Sequence, residues 1–142
     1  MIRKAIVNDI NYLVKIEKKV FTESLGESFL YDEFLLNPFA HYFVYEVNKE
    51  VVGYIGFRAI DEHAEVMNFC MDPEYQGQGL GTELFNYSVD FLQSIGVKSM
   101  LLEVRKSNKK AQAFYERFGF VKSHVRKNYY KTEDAYVLIK EV

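Results

Sequence analysis

The chain contains no tryptophan, one cysteine and two prolines among its 142 residues. A single thiol, Cys70, excludes an internal disulfide, so the fold must rest on its own apolar core and a reducing compartment is the expected address. Two prolines and eight glycines exclude collagen-like and low-complexity chains. No apolar run approaches the roughly 18 residues of a membrane helix; the longest strand-like stretch, Val51 to Phe57, has seven. The start, Met1-Ile2-Arg3-Lys4-Ala5-Ile6-Val7, lacks a hydrophobic signal core and meets Asp9 early. The expectation is a cytoplasmic protein with no membrane partner. What is abundant is apolar and aromatic surface: 49% hydrophobic residues, with 11 Tyr and 12 Phe. That suffices for one domain, residues 1–142, with a sizeable core.

Charge is unevenly placed. Residues 1–96 hold 7 Lys/Arg and 15 Asp/Glu, a net −8, whereas residues 97–142 hold 11 and 5, a net +6. The split suits a protein that meets a cation on one side and an anion on the other, or simply a solvated surface. A nucleic-acid binder would carry a stronger positive balance, so no such partner is expected.

Apolar spacing predicts a strand over Ile2–Val7. It then predicts a helix from Asn8 or Asp9 to Phe21, with Ile10, Leu13, Val14, Ile16 and Val20 on one stripe. A second helix, Glu27–Leu36, stops before Pro38, and Thr22, Glu23, Ser24 and Gly26 lie in the loop between the two. Strands are predicted over His41–Val47 and Val51–Ile60, joined by Asn48-Lys49-Glu50, and over Glu65–Met71. A helix from Leu80 to Ser94 ends at Gly96, and a strand follows over Val97–Val104. Ser107 or Asn108 caps a helix to Phe118, and β-like segments around Phe120–Val125 and Ala135–Glu141 close the chain. The order β-α-α-β-β-β-α-β-α-β-β holds antiparallel hairpins and one βαβ crossover from Gly81 to Val104. This is an α+β fold, a mixed and mostly antiparallel sheet flanked by helices.

Between a strand and a helix stands Gln76-Gly77-Gln78-Gly79-Leu80-Gly81-Thr82. Glycines let backbone N–H groups approach an anion, and the helix start adds its dipole, a geometry that suits a pyrophosphate. A dinucleotide fingerprint starting at Gly77 needs glycine where Thr82 stands, and no Gly-Lys-Ser/Thr of a Walker A loop follows. A tight turn with no ligand is the plain alternative.

The pattern Gln76-x-x-Gly79-x-Gly81 at this junction resembles the coenzyme A signature of the GCN5-related N-acetyltransferase (GNAT) family. Asp72-Pro73-Glu74-Tyr75 and Leu101-Leu102-Glu103-Val104-Arg105 fit as well. The run Ser107-Asn108-x-x-Ala111-x-x-Phe114-Tyr115-x-x-x-Gly119-Phe120 is more specific. With Arg126-x-Asn128-Tyr129-Tyr130 and Glu133-Asp134-Ala135, it is similar to the branch of that family that acetylates the N-terminus of a ribosomal protein. The resemblance implies a GNAT-like fold, acetyl-CoA as co-substrate, no metal, and direct transfer to a primary amine, with a protein N-terminus as the acceptor. It implies that backbone amides of Gly77, Gln78, Gly79, Leu80, Gly81 and Thr82, beside Gln76, hold the pyrophosphate. The edge at Phe69, Cys70 and Met71 would pair with the pantetheine arm, Asn108 would bond it, and Tyr129 and Tyr130 would flank the entering peptide.

Acyl transfer to an amine needs a base for the ammonium and a proton for the departing thiolate. Glu103, a carboxylate in an apolar strand, is the candidate base; the alternative is an outward-facing ion-pair partner in the neighbourhood of Arg105. Tyr115, seven residues and two helical turns after Asn108, is the candidate acid, or else one more packed aromatic ring. Arg105, Lys106, Lys109 and Lys110 either neutralise phosphates or decorate an exposed helix start. The loop Phe21-Thr22-Glu23-Ser24-Leu25-Gly26-Glu27 departs from the protein-directed branch, which often carries a tryptophan there. A small-amine acetyltransferase and a non-catalytic acyl-CoA sensor are the competing functions.

Overall fold

The computed structural model describes residues 1–21 and 25–142; Thr22, Glu23 and Ser24, expected in the loop after the first helix, lie outside the described residues. Strands are β1 Ile2–Lys4, β2 Ala40–Val47, β3 Glu50–Ile60, β4 His63–Met71, β5 Ser99–Arg105, β6 Val121–Tyr130 and β7 Glu133–Glu141. Helices are α1 Ile10–Val20, α2 Glu27–Leu36, α3 Leu80–Ser94 and α4 Lys109–Arg117. The strands form one sheet in the order β1-β2-β3-β4-β5-β7-β6. Every neighbouring pair is antiparallel except β4 and β5, which the α3 crossover joins in parallel. The mixed, mostly antiparallel α+β sheet read from the sequence is therefore the observed fold.

The boundaries differ where local polar groups decide. The first strand ends at Lys4, short of the expected Val7, because Val7–Asp9 wind into a 3-10 turn. Asp9 closes that turn by accepting the Ile6 N–H at 2.8 Å and both terminal nitrogens of Arg3 at 2.9 Å. At the β2–β3 hairpin the turn is Asn48-Lys49 alone, both with positive φ (50° and 67°). Such a two-residue turn matches the twist of its strands, so Glu50 pairs with Val47 instead of joining the loop.

Each face of the sheet is packed separately. On one, α3 and α4 cover Ile55, Phe57, Met100, Leu102 and Leu138 around the buried Phe85 and Phe120. On the other, α1 and α2 press Ile10, Leu13 and Leu30 against Tyr42, Val44 and Tyr54. Gly56 is required here, because a Cβ at that position would lie 2.2 Å from the Tyr42 ring. Among the described residues, no helix is long and apolar enough to cross a membrane.

Candidate active site

The register of β4 against β5 is short. It covers only His63–Glu65 opposite Ser99–Leu101, although β4 continues to Met71 and β5 to Arg105. Beyond Glu65 the strands diverge and leave two backbone edges facing each other across a cleft. Edges of this kind accept an extended, amide-bearing guest as an added strand. The cleft holds a cavity of about 800 Å³, lined by Phe69, Cys70 and Met71 of β4, by the glycine loop, by Asn108, and by Ala111, Phe114 and Tyr115 of α4.

The glycine loop closes one end of this cavity. Asp72 accepts the Glu74 N–H at 3.1 Å and opens the turn. Gln76 Nε2 donates to the Met71 carbonyl at 3.0 Å, and Lys110 Nζ donates to Gln76 Oε1 at 3.1 Å. Gly77 and Gly79 have φ of 78° and 83°, a left-handed backbone that side-chain-bearing residues avoid. Among the described residues, no side chain caps α3 at Gly79, so its first-turn N–H groups point outward for an anion. Open edges, an uncapped helix start and a nearby lysine fit a pyrophosphate-bearing thioester. Gln76, Gly77, Gly79, Gly81 and Thr82 line the cavity with Asn108. Gln78 and Leu80 do not: Gln78 Nε2 donates to the Glu74 carbonyl at 3.3 Å, and Leu80 packs on the core beneath α3.

A second cavity of about 540 Å³ lies alongside, with Asn68, Glu103, Arg105, Ser107 and Tyr130 in its wall. The two share Val20, Phe21, Phe69, Asn108, Ala111 and Tyr115. Tyr115 thus stands where a donor in the first would meet an acceptor in the second. Its ring is packed at 5.4 to 6.5 Å from those of Phe69, Phe85, Phe114 and Phe120. Burial pushes its hydroxyl well above the ordinary tyrosine range, so the proton stays on. Asn108 caps α4 through Oδ1, which accepts the Ala111 N–H at 3.1 Å; only its amide NH₂ remains for the cleft.

Glu103 does not pair with Arg105. Its carboxylate, 11% exposed, accepts from Arg126 Nη1 at 2.5 Å across β7 from the edge strand β6. The Tyr129 hydroxyl hydrogen-bonds the same carboxyl, and this contact, ahead of burial, pushes its pKa up to about 12. Arg126 lies 4.3 Å from the Tyr129 ring, and Arg105 lies 4.1 Å from the Tyr130 ring and 3.7 Å from Glu133. Tyr130 lines the second cavity, whereas Tyr129 stands outside it, 44% exposed. Lys110 reaches the cavity while Lys106 and Lys109 remain on the exposed start of α4.

Glu65 adds a second carboxyl to this face, paired across β4–β5 with Leu101, two residues before Glu103. Burial first, then the charge of Glu103, pushes its pKa up against the pull of Arg58 and Arg126. A carboxyl raised on folding binds more protons folded than unfolded, so it costs stability as pH rises above its unfolded pKa of about 4. Glu65→Gln is therefore expected to raise the melting temperature modestly at pH 7, with the gain vanishing near pH 4 in a thermal-unfolding series.

Two features escaped the sequence reading. Arg126 was visible only as part of a motif, since its contact with Glu103 spans 23 residues and an intervening strand. Glu17, fully buried under α1, carried a readable signal. It falls four residues after Leu13 and seven after Ile10, on the apolar stripe where a carboxylate is out of place.

Comparison with known proteins agrees with this geometry. The sequence pattern described as Acetyltransferase (GNAT) family matches residues 10–120. A Bacillus subtilis protein provisionally named [ribosomal protein bS18]-alanine N-acetyltransferase is 37% identical over 96% of this chain and 92% of its own. An N-alpha-acetyltransferase of Sulfurisphaera tokodaii is 31% identical over 96% of this chain and 90% of its own. The crystal structure of the ribosomal-protein-S18-alanine N-acetyltransferase from Escherichia coli superposes with a TM-score of 0.92 at 28% identity, covering 100% of this chain and 93% of that one. A split parallel pair, a glycine loop at its mouth and these likenesses have one common explanation: the chain belongs to the GNAT family of acetyltransferases, which take their acetyl group from acetyl-CoA.

Proposed function

We propose that this chain acetylates the N-terminal α-amine of a protein, with a ribosomal protein as the acceptor, and that it acts in the cytoplasm. The observation that carries the reading is the pair of cavities meeting at Tyr115, one with the glycine loop and the other with Glu103 and Tyr130. The names of the relatives supply the class of acceptor.

In this reading the amides of Gly77, Gly79, Gly81 and Thr82 and the Lys110 ammonium hold the pyrophosphate, while Phe69, Cys70 and Met71 align the pantetheine arm with the Asn108 amide. The acceptor's α-ammonium enters beside Tyr130 and exchanges with the Arg126 guanidinium on Glu103, one cation for another, which limits the cost of desolvating the carboxylate. Glu103 takes the ammonium proton, and the amine then attacks the thioester carbonyl. As the carbon–sulfur bond breaks, the Tyr115 hydroxyl donates a hydrogen bond to the departing thiolate, and the second proton that the nitrogen sheds in becoming an amide goes to that sulfur or to water.

The test is release of free CoA on two panels. One holds peptides copying bacterial ribosomal-protein N-termini, among them an alanine-first bS18 peptide; the other holds spermidine and glucosamine. Turnover on peptides with at least tenfold preference over the small amines is expected. Turnover confined to the small amines would move the acceptor to that class, and acetyl-CoA binding with no turnover on either panel would make the chain a sensor.

A further inference from the structure

Beneath the open edge of β4 runs a chain of hydrogen bonds that starts fully buried at Glu17 and Tyr54 and ends at the half-buried Asn68 in the wall of the second cavity. Glu17 of α1 and Tyr54 of β3 are both fully buried. The Tyr54 hydroxyl donates to Glu17 Oε1, and Asn68 Nδ2 donates to the Tyr54 oxygen at 2.8 Å. Asn68 Oδ1 in turn accepts the Phe69 backbone N–H at 3.0 Å. Asn68 Nδ2 also donates to Glu17 Oε1 at 3.4 Å, and the sense of the chain is set because Tyr54 has a single proton and Asn68 cannot be flipped without setting donor against donor at Phe69. Glu17 Oε2 has no partner, and it is the one buried side-chain oxygen or nitrogen of that kind among the described residues. Burying a carboxylate with an unmet oxygen costs stability that a leucine at the same place would not.

The location of this chain gives it a use. Asn68 sits at the irregular register of β3 with β4, where Gly56 faces Asn68 but Phe57 faces Val66. Four residues further, beyond Phe69, Cys70 and Met71, Asp72 accepts from Lys19 Nζ of the same α1 at 2.8 Å. Helix α1 is thus tied to β4 on both sides of the three residues that line the donor cavity. We propose that Glu17, Tyr54 and Asn68 are positioning residues that fix the Phe69–Met71 edge of β4 at the distance and tilt the acetyl donor requires. Burial first, then the neighbouring Cys70 and Glu17, push the Tyr54 hydroxyl well above the ordinary tyrosine range, so it stays a donor.

The polarity of the relay supplies its test. Asn68→Asp leaves two carboxylates competing for the one Tyr54 proton and should break the chain. Adding Glu17→Gln lets every bond re-form in the opposite sense: the amide at 17 donates to Tyr54, whose hydroxyl donates to the carboxylate at 68, and the Phe69 N–H keeps an acceptor. N68D is expected to lower kcat about tenfold for acetyl transfer to the alanine-first peptide, as misplacement of a reacting group does. It should also speed hydrogen exchange of the Phe69 amide, and E17Q/N68D should restore both. A merely structural role would lower thermal stability and leave kcat and the Phe69 exchange rate unchanged. Wild-type kinetics in N68D, or a double variant no better than N68D, would overturn the proposal. Should N68D lose its cooperative thermal transition, Tyr54→Phe cuts the relay at its middle: a similar fall supports the proposal and wild-type kinetics overturn it. The kinetic readout rests on the peptide-acetylating function, whereas the exchange readout needs no acceptor, so failure of one is distinguishable from failure of the other.

Discussion

Tyr115→Phe is expected to lower kcat about a hundredfold while leaving the affinity for acetyl-CoA nearly unchanged, the ordinary scale of losing one positioned proton donor. The substitution deletes one oxygen from a ring held by Phe69, Phe85, Phe114 and Phe120, so packing survives and thermal stability should hardly move. Burial raises the phenol well above its ordinary range. Outright proton transfer to a thiolate, whose ordinary pKa is about 8.5, is therefore uphill, and the proposed part of the hydroxyl is to donate a hydrogen bond to the departing sulfur as charge builds there. Isothermal titration with acetyl-CoA and steady-state CoA release separate the two effects. Unchanged turnover would remove Tyr115 from the reaction, and lost affinity would make it a wall of the donor cavity.

Glu103→Gln should cost about a hundredfold in kcat at neutral pH, because the amide accepts the Arg126 and Tyr129 contacts but takes no proton. The deficit should depend on the state of the acceptor. An α-amine titrates near 7.7–8.0, so below that pH nearly every acceptor arrives as an ammonium and a base is indispensable. Above it the amine arrives already neutral, and the variant should recover toward the wild type. Rates of both forms measured from pH 6 to pH 9 would show the ratio narrowing as pH rises. A small deficit of equal size at every pH would return Glu103 to an ion-pair role with Arg126.

How much of this was legible depends on how local the determining forces are. Helix α3 runs from Leu80 to Ser94 as the spacing predicts, since Gly79 and Gly96 punctuate it with positive φ on either side. Helix α2 likewise ends before Pro38. The last hairpin was only half visible. Strand β6 runs to Tyr130, past the expected Val125, and all but its last residue are exposed, so its polar sequence shows no alternation of inside and outside. That the glycine loop, Asn108 and Tyr115 come together was readable, because the cavity they line is built by neighbours in sequence around one crossover. Arg126 on Glu103 and Asn68 on Tyr54 depend on strand order and on a register shift, which no periodicity within one strand encodes.

The three-pair contact between β4 and β5 also bears on how the protein lasts. β1 to β4 and β5 to β7 are two half-sheets stitched at one end, and the remaining backbone groups along the seam are left for a guest to bond. The donor is then a missing rung as much as a reactant, and its binding free energy counts toward folding. A ligand at a hundred times its Kd adds about 2.7 kcal/mol to the native state, a sizeable share of what usually holds a small domain together. Copies without donor are expected to open first along this seam, so the lifetime of the enzyme would follow the supply of the metabolite it consumes.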